Sequence, residues 1–161
     1  NYMKITIISV GKIKEKFYRD AIAEYTKRLS RYCRLQMIEV ADEKTPDHCS
    51  ETEAAQIKSK EGARLLSNIK DNDYVIALAI DGKGWDSVGL ADHLEQLAVN
   101  GKSSLAFVIG GSLGLHPDML SRADESISFS AMTFPHQLMR VILLEQLYRS
   151  FRIRNQEPYH K

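Results

Sequence analysis

Leu105-Ala106-Phe107-Val108-Ile109-Gly110-Gly111-Ser112-Leu113-Gly114 decides the architecture, because an unbroken apolar run ends in a glycine-rich turn. A strand with one wet face alternates apolar and polar side chains. A strand without that alternation is covered on both faces, as parallel strands under helices are. Residues 74–80, from Tyr74 to Ile80, repeat the pattern, so the chain is expected to hold at least two such strands in one sheet.

Working outward, residues 4–10 form a β-branched strand ended by Gly11. Residues 16–31 carry Phe17, Ala21, Ile22, Tyr25 and Leu29 at helical spacing. A second strand spans 35–40 and a polar loop 45–50. Ser50-Glu51-Thr52-Glu53 is a capping signature for a helix reaching about residue 69. Asp81-Gly82-Lys83-Gly84 reads as a loop, 87–100 as a helix closed by Gly101, and 117–122 as a short helix opened by proline. A brief strand near 126–129 precedes a last helix from Pro135 to about Arg154. Strands alternating with helices predict an α/β domain over residues 3–161, with a mostly parallel sheet and helices on both faces. Asn1 and Tyr2 stand ahead of Met3 and read as a leftover extension.

The 161 residues are 43% hydrophobic and 27% charged, an ordinary composition for a soluble domain. The run of apolar residues a membrane span needs is missing, as is the pattern of a secretion signal, so a cytoplasmic location is expected. Cys33 and Cys49 lie in unlike contexts without metal-ligand spacing, which argues against a disulfide framework and against a metal site. Net charge is +1, but residues 4–34 hold nine Lys/Arg against three acids, while 35–101 hold six against thirteen and 138–161 five against two. Two basic ends that meet in space would make a face suited to a phosphate backbone; the other reading is solvated helices with no shared direction.

In open parallel sheets ligands bind beyond the carboxyl ends of the strands, and the loops after residues 80, 109 and 129 all lie there. The last is the most suggestive. In Ser126-Ile127-Ser128-Phe129-Ser130-Ala131-Met132-Thr133-Phe134-Pro135-His136, small hydroxyl residues alternate with Phe129, Met132 and Phe134. Two readings fit it: a cofactor loop with directed hydrogen bonds in an apolar slot, or a surface turn capping a helix. Two phosphate-loop imitations fail. Gly101-Lys102-Ser103 has Gln96 where a P-loop needs glycine and enters a strand, and the turn at 110–114 misses dinucleotide spacing and follows the wrong strand. Nucleophile elbows, Cys/His nucleophile contexts and hydrolytic carboxylate clusters are not found either.

Leu138, Met139, Val141, Ile142, Leu143, Leu144, Leu147, Tyr148 and Phe151 cover almost the whole circumference of the last helix. A sheet covers one side of a helix, so the other is expected to face a second copy in a symmetric homodimer.

Phe107-Val108-Ile109-Gly110-Gly111-Ser112, Gly114-Leu115-His116, Met132-Thr133-Phe134-Pro135-His136-Gln137, Glu145-Gln146-Leu147-Tyr148-Arg149 and Tyr159-His160 resemble the ribosomal large subunit methyltransferase H family of the SPOUT superfamily. The likeness extends over the whole chain, from Met3-Lys4-Ile5 and Gly11-Lys12 onward. It implies S-adenosylmethionine as cofactor, methylation at N3 of a pseudouridine in large-subunit ribosomal RNA, and a homodimer sharing its active sites. It also implies a C-terminal trefoil knot, which general topology argues against.

By the same resemblance the cofactor pocket is Leu78, Gly110, Phe129, Ser130, Ala131, Met132, Thr133 and Phe134. His116 and His136 match family positions, with helix capping as the plainer role for His136. The acceptor's imide proton must leave, and His160 beside Tyr159 is the first candidate to act on it, with Lys161 meeting phosphate. Arg152, Arg154, Lys12, Arg28 and Lys161 are the expected RNA contacts, with Lys14, Lys16 and Arg19 beside them, whereas Arg149 has a partner in Glu145 one turn away. The chain departs from the family at Leu113, where a polar residue is usual, and at Gln156, where glycine is common. A transfer RNA methyltransferase, a non-catalytic ribosome-binding module and a nucleotide-binding regulator are the alternatives.

Overall fold

The computed structural model describes residues 2–161, so Asn1 and the expectation attached to it lie outside the described residues. In chain order the elements are β1 (Met3–Val10), α1 (Lys16–Leu29), β2 (Cys33–Val40), α2 (Glu51–Leu66), β3 (Tyr74–Gly84), α3 (Ser87–Val99), β4 (Ser104–Ile109), α4 (Pro117–Arg122), β5 (Glu125–Ser128) and α5 (His136–Arg154). The strands form one sheet in the order β2-β1-β4-β3-β5, and every pairing between them is parallel.

The pleat sorts each strand's side chains between two cores. Ile5, Ile7, Leu105, Phe107 and Ile109 point to the face covered by α1, α3 and α5, where Leu29, Leu94, Leu143, Leu147 and Phe151 meet them. Ile8, Val10, Ala106 and Val108 point to the opposite face, under Leu65 of α2 and Met119 of α4. This period-2 sorting of all-apolar strands is the physical content of a sheet sandwiched by helices. The capping box stands as the sequence implied: Ser50 Oγ accepts from Glu53 N–H at 3.1 Å, and Glu53 Oε1 accepts from Ser50 N–H at 3.3 Å.

Two expectations change. Residues 81–84 are the end of β3, not a loop. The β3–β5 register shifts so that both Leu78 and Lys83 stand opposite Ile127, with the intervening residues bulging out. Gly82 makes this possible, because a Cβ there would lie 2.6 Å from the backbone N and C of Ile127. Secondly, α5 is largely enclosed by its own chain. Leu143, Leu144, Leu147 and Phe151 are buried in the core with α1 and α3 packed along its flanks, and Leu138, Val141 and Ile142 are left half-buried along one stripe. Arg140 is the surprise on this helix. It is fully buried, with Nη1 2.7 Å from Glu39 Oε2 and Nη2 donating to the carbonyls of Val10 (2.8 Å) and Gly11 (2.7 Å). It ties α5 to the carboxyl ends of β1 and β2.

Candidate active site

Because β4, β3 and β5 are neighbours and all run the same way, the loops after them converge at one edge of the sheet. Gly110 follows β4 and residues 129–134 follow β5, while Leu78 lies within β3 between those two strands. Leu78 stands opposite Ile127, and both Leu78 and Phe129 pack as partly buried residues on the core of α3 and α5. The loop holds itself with local bonds: Ser128 Oγ donates to Ser130 C=O at 3.0 Å, and Met132 N–H donates to Ser130 Oγ at 2.9 Å. Ala131, Met132 and Thr133 are exposed, and no backbone–backbone hydrogen bond ties 130–134 to the rest of the described chain. Gly110 earns its place through its own turn. A Cβ would stand 2.9 Å from Gly114 C and 3.0 Å from Leu115 Cδ2.

The two family-matched histidines behave differently. His116 Nδ1 accepts from Asp118 N–H at 3.1 Å and caps α4. His136 caps nothing; it is the first residue of α5, its Nδ1 is buried without a partner, and burial followed by the charge of Arg140 holds its pKa below the ordinary value. A cleft of about 320 Å³ opens beside it, with Val10, Asp42, Glu61, Gly111 and Ser112 among its walls. Leu78 and residues 129–134 do not line that cleft, whereas Gly111 and Ser112 of the glycine turn do.

The tail folds back on α5. Tyr159 Oη donates to Glu145 Oε2 at 2.8 Å, its ring stands edge-on to Tyr148 with centroids 4.8 Å apart, and the Arg149 guanidinium lies 4.7 Å from its centroid. Burial, then the hydrogen bond to Glu145, pushes the Tyr159 phenol well above its ordinary pKa, so it serves as a donor. Arg149 also donates to Glu145 Oε2 at 2.8 Å and to His160 Nδ1 at 2.9 Å. Reading Arg149 only as an i, i+4 partner of Glu145 missed this second bond, which depends on where the tail lies. Arg140 was also missed, although it shares a helical stripe with Leu143, Leu144 and Leu147, a signal visible in the spacing.

The expected RNA contacts divide by availability. Arg152 is committed: it donates to Tyr32 Oη (3.1 Å), Glu157 Oε2 (3.0 Å) and Pro158 C=O (2.8 Å), pinning the turn that leads into the tail. Arg154 is half-buried against the Phe151 ring, at 4.8 Å. Arg28 pairs with Glu24 at 2.8 Å and lies over Tyr25 and Tyr148. Lys12, Lys14 and Lys161 are exposed, and so are Lys16 and Arg19, although Lys16 pairs with Asp20 at 2.8 Å and Arg19 donates to Lys14 C=O. Since α1 packs along α5, the basic ends of the chain do meet.

A glycine turn and a hydroxyl-rich loop at the carboxyl ends of parallel strands stand where α/β sheets of this class bind small ligands. The chain belongs to the SPOUT methyltransferase family: the family model described as "Predicted SPOUT methyltransferase" matches residues 3–160. It is therefore an enzyme of methyl transfer. Among its relatives are proteins named "Ribosomal RNA large subunit methyltransferase H". Those of Bifidobacterium adolescentis and Clostridium tetani are 60% and 59% identical to it over 159 residues, covering 99% of this chain and 100% of theirs. That of Clostridium botulinum (strain Hall) is 61% identical over the same span. A solved structure described as "a probable methylase family protein from Haemophilus influenzae Rd KW20" superposes with TM-score 0.53 at 16% identity, over 98% of this chain and 70% of that one, a likeness of fold.

Proposed function

We propose that this chain methylates N3 of a pseudouridine in large-subunit ribosomal RNA, using S-adenosylmethionine, on the assembled ribosome in the cytoplasm. The relatives' shared name supports the ribosomal substrate, and no helix among the described residues is long and apolar enough to cross a membrane. The observation that carries the cofactor is the convergence of Leu78, Gly110 and the 129–134 loop. Leu78 and Phe129 supply apolar surface there, and residues 130–134 make no backbone–backbone hydrogen bond, which fits an adenine with its hydrogen-bonding edge. When bound, the cofactor supplies an electrophilic methyl group.

The chain's own task is to position the acceptor and ease loss of its imide proton. Arginine can only donate, so Arg149 fixes Nδ1 of His160 as the acceptor and leaves Nε2 as an N–H. His160 and Arg149 are then donors suited to the ring oxygens, which carry negative charge as the imide proton passes to water. Tyr159 and Glu145 hold that pair in place. The half-buried stripe of Leu138, Val141 and Ile142 supports a homodimer in which one copy's tail serves the other's cofactor loops. Membership of the SPOUT family supports a C-terminal trefoil knot.

Labelled cofactor offered with large subunits lacking the modification, with naked ribosomal RNA and with transfer RNA tests the reading. Label should enter only the ribosomal particles. Equal labelling of naked RNA removes the ribosome requirement, and labelling of transfer RNA alone overturns the substrate. Light scattering checks the dimer.

A further inference from the structure

The cleft beside the glycine turn holds two buried polar atoms that the fold leaves without partners. Glu61 is 4% exposed; its Oε2 accepts from Glu43 N–H at 3.0 Å, while Oε1 has no hydrogen bond. Nδ1 of His136, on another wall of the cleft, is buried and equally unmatched. Buried polar atoms in folded proteins are nearly always satisfied, so an orphan pair lining one cavity points to a visiting group. The chain's own cations do not serve Glu61. Arg64 and Lys60 are engaged by Glu43, and Arg140 by Glu39 and the two carbonyls. Gly111 keeps the space beside the carboxyl clear, since a Cβ there would lie 3.0 Å from Glu61 Oε1 and 3.2 Å from Val10 Cγ1.

The chemistry of the lining narrows the visitor. Asp42, Glu43, Glu61 and His136 share the lining, but among the described residues no three His, Cys, Asp or Glu side chains are placed together to hold a metal ion. The cleft's volume of about 320 Å³ is that of a small organic ligand site. A carboxylate asks for an N–H, and the hydroxyls of Thr45 and Ser112, hydrogen-bonded to each other at 3.4 Å, keep one proton free to donate at another wall. Such a mixture suits a flat heterocycle carrying N–H and C=O on its edge. Position agrees, because Val10 ends β1, Gly111 and Ser112 follow β4, and His136 opens α5 straight after the 129–134 loop.

We propose that this cleft seats the base of the acceptor nucleotide, with Glu61 accepting a ring N–H and the Thr45–Ser112 hydroxyl pair donating its remaining proton to a ring carbonyl. This assignment rests on the methyl-transfer reading above.

The test uses the whole protein, large ribosomal subunits lacking the methyl group and labelled S-adenosylmethionine. Glu61→Gln keeps the volume but sets an amide where the carboxylate stood, and Ser112→Phe fills the mouth from an exposed position. Both should lower kcat/KM for the subunits tenfold or more while the Kd for S-adenosylmethionine, by calorimetry, stays within twofold. Ser112→Phe carries the test alone if Glu61→Gln does not fold. Unchanged kcat/KM in Ser112→Phe overturns the assignment, and so does a loss of cofactor affinity that matches the loss of rate, which would give the cleft to the methyl donor. Wild-type protein that binds no cofactor and labels no subunits strikes the methyl-transfer reading itself, and the base site falls with it.

Discussion

Arg149 Nη1 lies 2.9 Å from His160 Nδ1, and the same guanidinium grips Glu145 Oε2 at 2.8 Å, which itself accepts from Tyr159. One arginine thus joins the last helix to Tyr159 and His160 of the tail. If the pair acts as a unit, Arg149→Ala and His160→Ala should each lower the single-turnover methylation rate by roughly 10²-fold, with little effect on cofactor affinity. The double variant should be barely slower than either single one. Multiplying losses would mean that the two side chains act separately.

Gly82 is the tightest backbone approach among the described glycines, and Gly84 two residues on has nothing within 4 Å of where a Cβ would stand. Gly82→Ala should therefore destabilise by about 2–3 kcal/mol as β3 and β5 are forced apart. Gly84→Ala should stay within about 0.5 kcal/mol of wild type. Urea unfolding compares them, and equal stabilities would show that β3 can lift off β5 without cost.

Gln156 is the one non-glycine residue in the described chain with positive φ, at 54°. The position where the family commonly has glycine is thus one where a side chain strains the backbone. Replacing Gln156 with glycine should stabilise the fold by about 0.5 kcal/mol, the relief of left-handed strain being partly offset by a freer unfolded chain. A loss of stability instead would mean that the glutamine side chain holds the turn.

His136 titrates below its ordinary 6.5 because burial and then the charge of Arg140 disfavour the imidazolium, against weaker pulls from Asp42 and Glu15. The unfolded chain therefore binds more protons than the native one just below that pH. The neutral side chain's contribution is complete above 6.5 and is lost as pH falls from there toward the folded value. His136→Gln should flatten this decline in unfolding free energy between about pH 7 and about pH 5. An unchanged slope would put the titration elsewhere.

Cys33 is 2% exposed, and burial raises its thiol pKa to about 11. At about pH 8 only roughly one molecule in a thousand carries its thiolate, so alkylation should mark Cys49 and spare Cys33 until the protein unfolds. Peptide mass mapping reads this directly, and early Cys33 labelling would reveal opening of the α1 face.

Local patterns carried far in this chain. The apolar run at 105–109 announced a buried parallel strand and that at 74–80 another, buried only over Val75 to Ala77 because Ile80 is 56% exposed; Ser50 and Glu53 announced a capping box, and Gly110 with the 129–134 stretch announced the strand-end loops. Each depends on near neighbours, so it can be read from spacing. What escaped was long-range. Gly82 looked like part of a flexible loop because nothing nearby in sequence says that Ile127 will press against it. Arg152 looked like a free cation because Tyr32, its partner, is 120 residues away.

The sequence by itself determined the alternation of strands and helices, the two-sided burial of the sheet and the family to which the chain belongs, since these rest on side-chain periodicity and residue identity. Only the tertiary structure decided that α5 is covered mainly by its own chain, that Arg140 is sunk beneath it, that the tail returns to Arg149, and that Glu61 and His136 line one cleft. The physical reason is that hydrogen-bond partners and cavities depend on which distant segments the sheet order β2-β1-β4-β3-β5 brings side by side, and residue types carry no record of that order.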